Sequence, residues 1–116
     1  MKRRTNRLFI EDILEAMGKI KRYIKGLTYE TFIKNEIVID AVIRNLEVIG
    51  EASRNIPEQV REKYPEIPWK RMIGLRNIAI HGYFGVDLSI IWEIITRNLP
   101  ETKPKIASLL KIFNDM

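Results

Sequence analysis

Apolar residues recur at intervals of three and four along most of the chain. Ile10, Ile13, Leu14, Met17, Ile20 and Ile24 form one stripe, with Glu11, Lys19, Lys21, Arg22 and Lys25 off it. That spacing predicts an amphipathic helix, closed by Gly26. After Thr28 and a short turn, Ile39, Val42, Ile43, Leu46, Ile49 and Ile56 make a second apolar side. Its β-branched richness suits a strand, but its length without turn residues argues for a helix, ending at Pro57. A brief helical piece holds Arg61 and Glu62 before Pro65 and Pro68 break the chain. Pro68 suits the first turn of a helix over WKRMIGLRNIAIH, with Trp69, Met72, Ile73 and Ile80 as its buried side and Gly82 as its stop. Asp87 is placed to cap a fourth main helix that ends before Pro100. Its apolar residues, from Leu88 through Ile90, Ile91, Trp92, Ile94 and Ile95 to Leu99, cover more than one stripe. Such a helix needs two partners, in the same chain or in a second copy. A last helix, from about Glu101 through Ile106, Leu109, Leu110 and Phe113, completes an all-α bundle of about five helices with short connections.

Composition narrows the class. With 116 residues and 46% hydrophobic content, the chain can close one core, so a single domain over residues 1–116 is expected, with no repeats or linker. Charged residues make up 30%, and Lys+Arg exceed Asp+Glu by 20 to 15. The surface therefore leans positive and mildly favours polyanionic partners. KRRTNR at residues 2–7 and KIKRYIK at residues 19–25 concentrate the excess, either as solvated helix faces or as a nucleic-acid surface. There are no cysteines, which excludes disulfides, thiolate nucleophiles and Cys-ligated zinc. No apolar run approaches the ~18 residues of a membrane span, and the amino terminus lacks a secretory pattern. A soluble, cytoplasmic protein is expected.

Candidate chemistry gathers in RNIAIHGYFGVD, Arg76 to Asp87, which holds the single histidine, His81. At about 100° per residue, Asn77 and His81 stand one above the other on a helix, while Arg76 is displaced by ~140° from His81 on a stem long enough to return. Gly82 permits a left-handed exit that turns His81 and Tyr83 toward one cleft. Imidazole titrates near ~6.5 and can take or give a proton. The guanidinium of Arg76 stays charged and offers phosphate a planar fork of donors. Such a set suits phosphodiester chemistry on RNA: Arg76 stabilises charge, Asn77 orients the imidazole, and Tyr83 binds or stacks a nucleotide. Acid and base catalysis often uses two titrating groups, and a twofold homodimer would bring a second Arg76/His81 pair to one composite cleft. Plainer uses exist for each residue. A histidine at a helix end interacts favourably with the helix dipole, Arg76 can be an ordinary ion-pairing residue, and Tyr83 can pack with Phe84. Trp69 and Trp92 are expected in the core. Gly50 beside Glu51 is most simply a helix-packing glycine next to a solvated carboxylate, with a polar support for the cleft as the alternative. Asp40, Glu47 and Glu51 do not converge as three ligands, so no metal site and no cofactor are expected.

The same residues carry a resemblance. RNIAIHGYF matches the R-x4-H signature of HEPN ribonucleases and, as R-x4-H-x-Y, resembles the HepT toxins. AVIRNLEVIGEASRNIP, IPWKRMIGLRN and HGYFGVDLSIIWEIITRNLP are similar to that family's blocks in order and spacing, over nearly the whole chain. The resemblance implies an all-α HEPN bundle, a homodimer with its cleft at the interface, and metal-independent endoribonuclease activity on tRNA or mRNA. Arg76 and His81 would be catalytic and Asn77 supporting. It further implies a type VII toxin-antitoxin pair, in which a cognate MntA-type minimal nucleotidyltransferase antitoxin silences the toxin by AMPylation of Tyr83, in a homodimer or a higher heteromer with the antitoxin. A noncatalytic regulatory or scaffold subunit that binds such a nucleotidyltransferase is the alternative.

Overall fold

The computed structural model describes residues 5–81 and 87–114, with the side chains of residues 79–81 excepted. Among these residues the chain is all-α. Helix α1 spans Asn6–Tyr23, α2 Tyr29–Phe32, α3 Glu36–Asn55, α4 Glu58–Lys63, α5 Trp69–His81, α6 Leu88–Glu93 and α7 Leu99–Asn114, with a π-helical turn Ile94–Asn98 joining the last two.

Local chemistry sets the ends of these helices. The Thr5 hydroxyl accepts from the Leu8 N–H at 3.3 Å, Asn35 accepts from Val38 at 3.1 Å, and Asp87 accepts from Ser89 at 2.9 Å. Each thereby satisfies a first-turn donor that has no partner within its helix. Gly26 turns the chain after α1 at φ 80°, a left-handed conformation that favours glycine. The α2 turn was not expected from the pattern. Thr28 and Thr31 close a reciprocal capping box around it, and the ring of its buried Phe32 packs against Trp92 at 5.1 Å between centroids.

Helix α3 is the centre of the bundle, with α1 on one side and α5 on another, and α7 rests on α1. The stripes read from sequence meet here: Ile10, Ile13 and Ile20 of α1, Val42, Leu46 and Ile49 of α3, and Ile106 and Leu109 of α7 are all buried. At about 25 cal/mol per Å2 of apolar surface removed from water, this cluster is the main favourable term in folding. Trp69 is buried as expected, its indole N–H donating to the Tyr64 carbonyl at 3.1 Å.

One boundary differs from the pattern. Pro100 does not end a helix: α6, the π-turn and α7 run on as a rod from Leu88 to Asn114, about 40 Å at 1.5 Å per residue, along a molecule 44 Å in its longest dimension. A proline offers no N–H, and its ring would collide with the carbonyl four residues back on a regular α-turn. The wider turn ahead of it, in which the Leu99 N–H reaches back to the Ile94 carbonyl, relieves that collision. Ile91, Ile95 and Leu99 are buried along the rod, whereas Ile90, at 55% exposure, and Ile37 of α3, at 82%, face outward.

Candidate functional site

Arg76 lies on the face of α5 that meets α3, opposite Gly50. A Cβ built on Gly50 would stand 2.6 Å from the Arg76 backbone nitrogen and 2.9 Å from its Cβ, so the two helices touch through backbone, which any larger residue would prevent. The closeness brings Glu51, the next residue of α3, within reach of the arginine. Arg76 Nε lies 3.0 Å from Glu51 Oε2 in an ion pair, with the two side chains 40% and 47% exposed. The second carboxylate oxygen of Glu51 lies 3.9 Å from Arg54 Nη1. Glu51 therefore carries two guanidinium groups, one from its own helix and one from α5. Glu51 is thus half exposed, as a solvated glutamate would be, and ion-paired as well, while Gly50 is the packing glycine the sequence suggested. At such exposure the ion pair contributes under about 1 kcal/mol to stability.

Asn77, the neighbour of Arg76, is exposed. His81 is the last residue of α5, so its backbone continues the helix that carries Arg76, about 7.5 Å further along the axis. The His81 side chain, Gly82 and Tyr83 lie outside the described residues. Trp92, expected in the core, is only partly buried and packs against it, its ring 5.1 Å from Phe32 and 6.4 Å from Tyr29.

Other polar groups are occupied differently. Glu47 pairs with Arg44 at 3.7 Å along α3. Glu47, Glu51 and Asp12 line a hollow of about 390 Å3 between α1 and α3. Among the described residues no three His, Asp or Glu side chains are grouped to hold a metal ion, and no helix is long and apolar enough to cross a membrane. Chemically, the α3–α5 contact presents a permanent cation held by one edge and half open to solvent, an arrangement suited to an anionic substrate.

Comparison with known proteins agrees in direction. Residues 13–109 match the family described as Ribonuclease HepT-like. A Methanocaldococcus jannaschii protein named "Putative RNase MJ1380" is 45% identical over 91% of this chain and 97% of its own. "Putative RNase TTE0752" of Caldanaerobacter subterraneus is 39% identical over 93% of this chain and 96% of its own. "Probable ribonuclease HepT" of Thermococcus cleftensis is 39% identical over 94% and 99%. No solved structure gives a significant match.

Proposed function

Because the chain belongs to the HepT-like ribonuclease family, we propose that it is a metal-independent endoribonuclease, in which Arg76 and His81 cleave tRNA or mRNA as one HEPN/HepT-like domain over residues 1–116. The observation that carries this is Arg76 itself. It stands five residues before the histidine on one helix, inside the family match, with its guanidinium fixed on one edge and 40% exposed.

In cleavage, the 2′-hydroxyl attacks the adjacent phosphorus and loses its proton to an imidazole. The phosphorus–O5′ bond breaks and O5′ gains a proton, giving a 2′,3′-cyclic phosphate and a 5′-hydroxyl end. The guanidinium of Arg76 neutralises charge gathering on the non-bridging oxygens. One imidazole per chain serves one proton transfer at a time, so a twofold homodimer supplies the second. The apolar surface at Ile37 and Ile90 is available for such pairing. Asn77 supports the imidazole. We assign the chain to the toxin half of a cytoplasmic type VII toxin-antitoxin pair. A cognate nucleotidyltransferase antitoxin transfers AMP to Tyr83, placing a phosphodiester where it competes with RNA for Arg76.

The test is total RNA incubated in EDTA with wild type, Arg76→Ala and His81→Ala. Cyclic-phosphate ends from wild type alone support the assignment. Equal cutting by all three refutes it, and no cutting beside retained binding of the nucleotidyltransferase favours the scaffold role. Mass spectrometry after incubation with that enzyme and ATP should find AMP on Tyr83.

A further inference from the structure

Glu51 and Arg76 form an ion pair unlike those around it. Arg7–Glu11, Lys19–Glu15, Arg44–Glu47 and Arg97–Glu93 each join residues three or four apart on one helix, at 3.5 to 3.8 Å. Glu51–Arg76 closes to 3.0 Å between two helices, at the point where Gly50 lets their backbones touch. The atoms engaged matter as much as the distance. A guanidinium has five donors in a rigid fork. The carboxylate takes Nε, on one edge, so the end bearing Nη1 and Nη2 is the pair of donors that a phosphate can engage two at a time. An exposed arginine otherwise samples many rotamers and loses that freedom when it grips a substrate.

We propose that Glu51 is the positioning residue of the cleavage site: by holding Nε across the α3–α5 contact it aims the Nη end of Arg76 at the scissile phosphate before RNA arrives. This deepens the ribonuclease assignment and rests on it. The carboxylate also places a negative charge near a polyanion, a penalty for binding that makes sense only if orientation gains more than attraction loses.

The experiment compares Glu51→Ala and Glu51→Gln in the full-length protein, with kcat and KM on RNA read beside the Arg76 Nε–H signal in 15N-resolved NMR. Glu51→Ala should lower kcat by about tenfold with a smaller change in KM, since lost preorganisation acts on the transition state. Glu51→Gln, whose amide oxygen can still accept from Nε, should recover most of that rate. The Nε–H should exchange with water faster in Glu51→Ala than in wild type. Unchanged kcat with unchanged exchange overturns the proposal and leaves Glu51 a solvated group. A lower KM in both variants at constant kcat also overturns it, assigning Glu51 to repulsion of RNA. The exchange measurement needs no catalysis. If wild type cuts no RNA in an Arg76-dependent way, the ribonuclease assignment falls and the positioning role of Glu51 with it, while Nε–H protection still reports the contact.

Discussion

Alanine at Gly50 and alanine at Gly74 should move stability in opposite directions, although both substitutions place the same methyl group in a helix. Each gains about 1 kcal/mol of intrinsic helix propensity. Around Gly74 nothing lies within 4 Å of the new Cβ, whereas at Gly50 it meets the Arg76 nitrogen at 2.6 Å, Cβ at 2.9 Å and Cα at 3.1 Å. Two of those atoms are backbone, so no rotamer change relieves them and α5 must retreat from α3 by about 0.8 Å to regain ordinary contact, an overpacking that costs about 1–3 kcal/mol. Propensity is common to both variants and cancels in their difference. Gly74→Ala should therefore exceed Gly50→Ala by about 1–3 kcal/mol in urea titration, or roughly 4–12 °C in midpoint, for a chain of this length. Both are measured at one protein concentration, because self-association would make stability depend on it. A displacement near 1 Å also moves the Arg76 guanidinium, and RNA cleavage should fall by up to ~100-fold in Gly50→Ala alone. Gly50→Ala as stable as Gly74→Ala would refute the close α3–α5 contact on which the site is built.

Other consequences follow from single contacts. The Asp87 carboxyl is held below its ordinary value of 3.8, first by the Ser89 hydroxyl and then by the Ser89 N–H. A carboxylate with a depressed folded value adds stability that is complete above the unfolded value and is lost as pH falls through the folded one. Asp87→Ala should thus lower the melting temperature at pH 7 and lower it less in acid, once the pH has fallen through the depressed folded value; equal losses at both pH values would remove the cap. Pro104 is exposed inside α7. Pro104→Ala restores an N–H there and should raise stability by about 1–2 kcal/mol, after allowing for the greater freedom of the unfolded chain, as a higher urea midpoint would record. Phe32→Ala removes a fully buried ring from beside Trp92 and should cost about 3–5 kcal/mol, with a loss of near-ultraviolet circular dichroism from the aromatic contact. A change under 1 kcal/mol would mean that α2 is not anchored there.

Sequence alone determined what depends on neighbours within a turn or two. The three-and-four spacing of Ile10 to Ile24 and of Ile39 to Ile56 marked the buried sides of α1 and α3. Pro68 marked the start of α5, and Asp87 the cap of α6. Arg76 and His81 stood out because their chemistry and spacing are local properties of one helix. Only the tertiary structure decided which helix each apolar side meets, since periodicity reports a face without naming its partner. It decided that Gly50 lies against Arg76, and hence that Glu51, distant in sequence, pairs with that arginine. It also decided that the chain passes through Pro100 as one rod. The local rule stops a helix at proline, but a π-turn absorbs the ring, and the burial of Leu99, Thr102 and Ile106 beyond it offsets the hydrogen bond that proline cannot make.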